Sequence, residues 1–363
     1  MGEDLAKMST PELPGRGTDQ SPPNRFYELR FEPDPDLEPD PDDAERPPEP
    51  TRYYRDASRS ILAENSSPDV GFRWSVNPYR GCEHGCIYCY ARPSHEYLGW
   101  SAGLDFERRL LIKLDAPQLL RRALAAPRWQ PDVIALSGNT DCYQPIERRL
   151  RLTRGLLEVL HEFRNPVGVI TKSALVARDV DLLAGLAEHQ AVHVRISVTT
   201  LDAELARRME PRAATPERRL EAIERLAAAG VPVGVMVAPI IPGLNDMEIP
   251  RILEAAAAAG AQNASWVLLR LASPLDELFT HWLAKHYPER REKVLHRIRE
   301  TRAGRLSDST FGKRMRGEGE YARQIAALFE ASARKAGLAK PLPPLSTAAF
   351  RRPAQRGEQL ALL

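Results

Sequence analysis

NPYRGCEHGCIYCYAR, residues Asn77 to Arg92, holds three of the four cysteines of the chain, Cys82, Cys86 and Cys89, in a C-x3-C-x2-C run. Thiolates this close in sequence converge on one soft centre, because sulfur is the preferred ligand of iron–sulfur clusters and of zinc. A [4Fe–4S] cubane has four irons, so three cysteines leave one iron open to another ligand. A structural zinc site instead closes with four ligands. His84 or Cys142 would have to complete such a set, since no second C-x2-C pair exists. Glu83 and His84, inside the loop, are expected to orient it by hydrogen bonds.

On either side of this loop the chain alternates short apolar runs with amphipathic segments. The runs are SVNPY before the cysteines, Asp132 to Thr140, Pro166 to Ser173, Ala191 to Thr200, VPVGVMVAPIIPG and Ser265 to Ala272. Between them lie helical patterns over Lys113 to Ala126, Arg149 to Phe163, VDLLAGLAEH, TPERRLEAIERLAAAG and PRILEAAAAAG. Thr215 is placed to cap the fourth of these, with Pro216 at its first position and Gly230 at its end. Buried strands alternating with helices imply a parallel sheet with helices outside. Six units fall short of the eight of a closed barrel, so the choice is between a partial barrel and an open, doubly wound sheet.

The cysteine run, with Tyr88 just before its third cysteine, resembles the signature of the radical S-adenosylmethionine (SAM) superfamily. The wider stretch NPYRGCEHGCIYCYARPSHEYLG resembles a bacterial group of that superfamily related to spore photoproduct lyase, and the resemblance runs from about Ser60 to Leu338. It implies an α/β fold, the partial (β/α)6 barrel, with a [4Fe–4S] cluster on Cys82, Cys86 and Cys89 and SAM on the open iron. It also implies a reducing partner of flavodoxin or ferredoxin type, and homolytic cleavage of SAM to a 5′-deoxyadenosyl radical that takes hydrogen from a substrate. A nucleic-acid lesion is the first substrate it suggests.

By the same resemblance Tyr88 lies along the adenine of SAM, and Tyr90 lines the mouth or packs in the core. Ser137, Gly138, Asn139 and Thr140 stand where the family carries a Gly-Gly-Glu-like segment that receives the methionine amino group. Asn and Thr replace the acid there, and Asp141 is the nearest carboxylate to substitute for it. Lys172 is placed to pair with the SAM carboxylate and Ser197 to touch the ribose. PIIPGLND (Pro239 to Asp246) resembles the family's G-x-I-x-G-x-x-E pattern. Ile241 then meets adenine, Gly243 makes the turn, Asp246 stands for the acid, and Pro239 departs from the first glycine. Cys142, past the second strand, has three readings: a thiol returning hydrogen to a product radical, a small buried hydrophobe, or a fourth ligand to a cluster or metal.

Composition bounds the rest. The 363 residues are 43% hydrophobic, enough for a barrel-sized domain with appendages. Residues 1–50 hold eleven prolines and a net charge of −9, so an unstructured acidic tail is expected there. Residues 51–273 are read as the barrel, 274–340 as a helical extension and 341–363 as a loose tail. The body is modestly basic, with runs at Arg148 to Arg154, Arg207 to Arg212 and Glu289 to Arg302, which leaves a nucleic-acid partner open. Acids inside these runs favour solvated helix faces. Four cysteines, three of them clustered, suit a reducing cytoplasm rather than a disulfide framework. No stretch approaches the ~18 apolar residues of a membrane span. A rival class is a metal-stapled nucleic-acid-binding protein, held by zinc or a silent cluster and without SAM chemistry.

Overall fold

The computed structural model describes residues 15–26 and 50–353. Ten strands occur among them: β1 (Arg52–Arg55), β2 (Leu62–Glu64), β3 (Trp74–Val76), β4 (Tyr79–Arg80), β5 (Arg109–Ile112), β6 (Ile134–Leu136), β7 (Val167–Thr171), β8 (Val192–Ser197), β9 (Val233–Ile240) and β10 (Asn263–Leu268). The main sheet runs β10-β9-β8-β7-β6-β3-β2, and every pairing from β3 to β10 is parallel. These six strands are the six apolar runs of the sequence, and they form the expected half-barrel. β2 adds an antiparallel edge to β3, and β1, β5 and β4 make a small separate sheet. Neither was legible as strand, because both are short and lack a continuous apolar run.

Helices cover one face. Ala116–Ala125, Leu152–Phe163, Val180–Ala187, Pro216–Ala228 and Ile249–Ala258 follow successive strands. The Thr215 hydroxyl accepts the Arg218 N–H at 3.5 Å, the N-cap the sequence predicts. Glu320–Lys335 packs beside Ile249–Ala258 and supplies Ile325, Phe329 and Ala333 to the main core. Strand periodicity sorts the two faces. On β8, Val192, Val194 and Ile196 are fully buried in the core under the helices, so His193, Arg195 and Ser197 face the inside of the half-barrel. No helix among the described residues is long and apolar enough to cross a membrane.

The helical extension departs from a single long segment. It divides into Leu275–His286 and Pro288–Glu300. Pro288 pushes the preceding Tyr287 out of the helical region, to φ −140°, and a new helix starts at the proline. Both helices bury Phe279, Trp282, Val294 and Ile298 in a second core shared with Cys86, Ile87, Tyr88 and Ile241, so the extension forms the back wall of the cysteine loop.

Two stretches expected to be loose have a defined course. At the C-terminal end, residues 338–352 cross the floor of the half-barrel. Leu338 O accepts from Ala264 N at 3.0 Å, Lys340 O from Asn263 at 2.7 Å and Pro343 O from His193 at 2.5 Å, and the Arg352 guanidinium donates to Trp129 O at 2.7 Å. Prolines at 341, 343 and 344 suggested looseness, but this strap is held by backbone carbonyls that composition does not reveal. At the N-terminal end, residues 15–26 lie against the cysteine loop. Gly17 N donates to Glu107 at 3.0 Å, Leu104 N to Gln20 O at 3.0 Å, and Arg25 pairs with buried Glu96 at 2.6 Å. The remaining residues of the expected tails lie outside the described residues.

Gly17 sits so close to the loop that a Cβ there would fall 1.5 Å from Gly85 O. Gly17→Ala is therefore expected to expel the N-terminal strap. Limited trypsin digestion should then cut at Arg16 and Arg25 much faster than in the parent chain; equal rates would mean that the strap does not depend on this contact.

Candidate functional site

The cysteine loop leaves β4 at the C-terminal mouth of the half-barrel, where parallel barrels place their variable loops. Cys82 N donates to Phe106 O at 2.9 Å, Ile87 N to Met209 O at 3.0 Å, and Arg212 N to His84 O at 3.3 Å. Gly85 holds φ +67°, and a Cβ on it would meet the Glu107 carboxylate at 2.6 Å, so glycine is required by conformation and by space. Arg92 is fully buried under the loop. Its guanidinium donates to Cys86 O, Gly85 O and Gly103 O, and pairs with Glu107 at 2.5 Å.

The polar residues inside the loop do what the sequence suggests. Glu83 accepts from Arg212 at 2.9 Å, Tyr53 at 3.1 Å and Ile146 N at 2.8 Å. His84 is buried and faces Asp141 at 3.5 Å, and burial holds its pKa down to about 4.

Cys82 and Cys86 are buried and Cys89 is partly so. Burial pushes all three thiols above the ordinary range, and Cys86 and Cys89 both add to the rise at Cys82. The Lys172 charge acts in the opposite direction on Cys86 and Cys89. Three soft donors within eight residues of one shielded loop fit the donor set of an iron–sulfur cluster. Among the described residues no three His, Cys, Asp or Glu side chains are grouped as the shell of one metal ion.

Several predicted residues meet at this mouth. The Lys172 ammonium lies 5.6 Å from the Tyr88 ring centroid. Behind that ring, the Tyr88 hydroxyl donates to Glu210, which also receives Thr199 and the buried Arg219. The Tyr90 hydroxyl donates to Gly138 O at 2.6 Å, and the Arg270 guanidinium stands 5.3 Å from its ring. Tyr90 is therefore at the mouth, half-exposed, and not in the core. Asn139 N donates to the Asn77 side chain at 2.9 Å and the Thr140 hydroxyl to Tyr79 O at 3.2 Å. Ser137 adopts φ +81° and its hydroxyl accepts from Cys142 N at 2.8 Å. Ser197 ends the inner face of β8 with its carbonyl fixed by Arg219, and Ile241 packs with Cys86 and Tyr88.

Other predicted residues take different work. Asp141 is spent on structure: its oxygens accept from Thr171 and Lys172 N at 2.7 and 2.8 Å, from Tyr143 N at 2.9 Å, and face His84. It locks the end of β7 to the cysteine loop rather than offering a free carboxylate. Gly243 makes the turn, at φ +77°, and Asp246 accepts from its N–H at 3.0 Å and from the Tyr321 hydroxyl. Cys142 is fully buried in the main core with Val76, Leu136 and Tyr143, which is the place of its packing reading. The basic runs are neutralised only in part: Arg154 pairs with Asp179 and Asp181, Arg207 and Arg208 with Glu204, Arg212 with Glu83, Arg291 with Glu292 and Arg297 with Glu300, whereas Arg148, Arg149 and Arg151 are exposed and have no ion pair among the described residues.

Comparison with known proteins agrees with this geometry. Residues 76–256 match the radical SAM superfamily. An uncharacterised protein of Mycobacterium tuberculosis is 37% identical over 282 residues, covering 77% of this chain and 80% of that one. One from Methanocaldococcus jannaschii is 28% identical over 233 residues, covering 63% and 82%. Among solved structures, spore photoproduct lyase complexed with dinucleoside spore photoproduct shares the fold at a TM-score of 0.55 and 16% identity, over 78% of this chain and 79% of that one. The chain belongs to the radical SAM superfamily.

Proposed function

We propose that this protein is a radical SAM enzyme whose cluster is held by Cys82, Cys86 and Cys89, with SAM bound at the mouth between the cysteine loop and the ends of β6, β7 and β8. The observation that carries it is the set of three shielded thiols on one loop at the strand C-termini, with the Lys172 ammonium 5.6 Å from the ring centroid of Tyr88, between the second and third of them. When bound, a reduced [4Fe–4S] cluster supplies the electron that cleaves SAM to methionine and a 5′-deoxyadenosyl radical, which abstracts hydrogen from the substrate.

The chain's own residues prepare that site. Lys172 offers an ammonium to the SAM carboxylate, and Asp141 fixes its backbone. Tyr88 presents a ring held from behind by Glu210, and Ile241 gives an apolar floor for adenine. The amide and hydroxyl groups of Asn139 and Thr140 stand in for the acid that would receive the methionine amino group. Loop and C-terminal helices bury the thiols from water, so thiolate formation there depends on a metal to neutralise it. A nucleic-acid lesion as substrate is supported by the shared fold with spore photoproduct lyase alone.

Anaerobic reconstitution with iron and sulfide tests the ligand set. About four irons and four sulfides per chain are expected in the parent, with a large loss in Cys82→Ala, Cys86→Ala and Cys89→Ala and none in Cys142→Ala. Stoichiometric zinc in place of iron, or dependence on Cys142, would favour the metal-stapled rival.

A further inference from the structure

The six parallel strands of the half-barrel contain a single Lys, Arg, Asp or Glu, and it is Arg195. Its neighbours Val194 and Ile196 are buried under the helices, so its guanidinium stands on the inner face, half-buried, opposite Ile170 on β7 and Gly234 on β9. Among the described residues it has no hydrogen bond, ion pair or ring contact. Other shielded arginines of this protein each have a partner: Arg92 faces Glu107, Arg219 faces Glu210, Arg178 faces Glu147 and Arg212 faces Glu83, while Arg302 donates to the carbonyls of Lys313 and Leu269 and Arg316 lies over the Trp266 ring.

There is open space one step towards the floor from Arg195, whereas a Cβ on Gly234, its partner on β9, would meet Asn263 O at 3.1 Å. A Cβ added at Gly168, on the inner face of the neighbouring strand, would meet nothing within 4 Å. Two residues towards the mouth, about 7 Å along the strand, lies Ser197, level with the end of β7 that carries Lys172. Two residues towards the floor lies His193, closed off by Pro343 O of the C-terminal strap at 2.5 Å. Arg195 therefore stands on the inner face midway between the candidate SAM site at the strand C-termini and the strap that crosses the floor. Burial lowers its pKa and no carboxylate opposes that. A charge held this way costs stability unless something supplies the opposite sign, and a guanidinium fork matches a carboxylate or phosphate through two parallel hydrogen bonds.

We propose that Arg195 is the specificity-determining residue of the substrate site, taking a terminal carboxylate or phosphate of a small substrate and leaving the part to be attacked towards Lys172 and the cysteine loop. The substrate role rests on the radical SAM reading, whereas the anion site does not. The small-molecule form is favoured because the cation lies on the inner face of the half-barrel, two residues below Ser197 at the strand end, rather than on an outer surface.

Isothermal titration of the full-length reconstituted protein at fixed ionic strength tests this, with inorganic phosphate, malonate and a single-stranded DNA 12-mer as probes. Saturable 1:1 binding of phosphate or malonate is expected, weakened at least tenfold in Arg195→Gln and less in Arg195→Lys, and the preferred probe identifies the anion. Arg195→Gln should melt no lower than the parent, since it removes an unpaired cation. The proposal is overturned by no saturable binding of either small anion, by equal binding in Arg195→Gln, by DNA binding that ignores Arg195, or by a melting point several degrees lower in Arg195→Gln. None of these readouts needs SAM cleavage, so a protein that binds the anion but makes no deoxyadenosine keeps this site and loses the radical reading.

Discussion

Glu107→Ala is expected to destabilise the protein by about 3–5 kcal/mol, the usual cost of leaving one member of a buried ion pair alone. Glu107 and Arg92 are both fully buried, 2.5 Å apart, beneath the cysteine loop. Arg92 spends its other N–H groups on the carbonyls of Gly85, Cys86 and Gly103, and Glu107 also receives Gly17 N from the N-terminal strap. Without Glu107 the guanidinium keeps its carbonyls but loses its counter-charge, and the strap loses an anchor. Urea unfolding gives the stability, and trypsin cleavage at Arg16 reports release of the strap. Retained stability would show that solvent reaches Arg92 and that the loop is not underpinned this way.

Acid is expected to destabilise the protein through His95. This ring is fully buried against Trp100 and Phe106; one nitrogen meets Arg109 O at 2.8 Å, and Nδ1 has no partner. Burial lowers the pKa from 6.5 to about 4. The sign follows from linkage: below pH 6.5 the unfolded chain binds a proton that the folded ring refuses, so stability falls as pH drops towards 4. A depression of that size amounts to ~3 kcal/mol, about three-quarters of it lost by pH 4.5 and the rest below that. Urea midpoints at pH 7, 5.5 and 4.5 should therefore fall more steeply in the parent than in His95→Gln. Parallel slopes would show that the ring titrates normally and that its pocket is open to water.

Much of this was legible before folding. The six apolar runs became the six parallel strands because strands buried on both faces carry their signal in continuous composition. The cap at Thr215 and the turn at Gly243 were legible because each depends on a few adjacent residues. What escaped was set by partners distant in sequence. Asp141 looked like a spare carboxylate until the chain brought Thr171 and His84 to it. The two straps escaped because carbonyls and single glycines, not periodicity, hold them. Cys142 kept three readings because sequence distance from a strand end does not fix burial. Arg195 could be noticed in the sequence but not oriented, since the register of β8 decides which face it takes.

The most direct test of the radical SAM assignment is chromatography for 5′-deoxyadenosine after the anaerobically reconstituted protein is reduced with dithionite and incubated with SAM. Deoxyadenosine from the parent chain and none from Cys86→Ala is the predicted result. A protein that holds about four irons yet yields no deoxyadenosine with SAM in excess would contradict it.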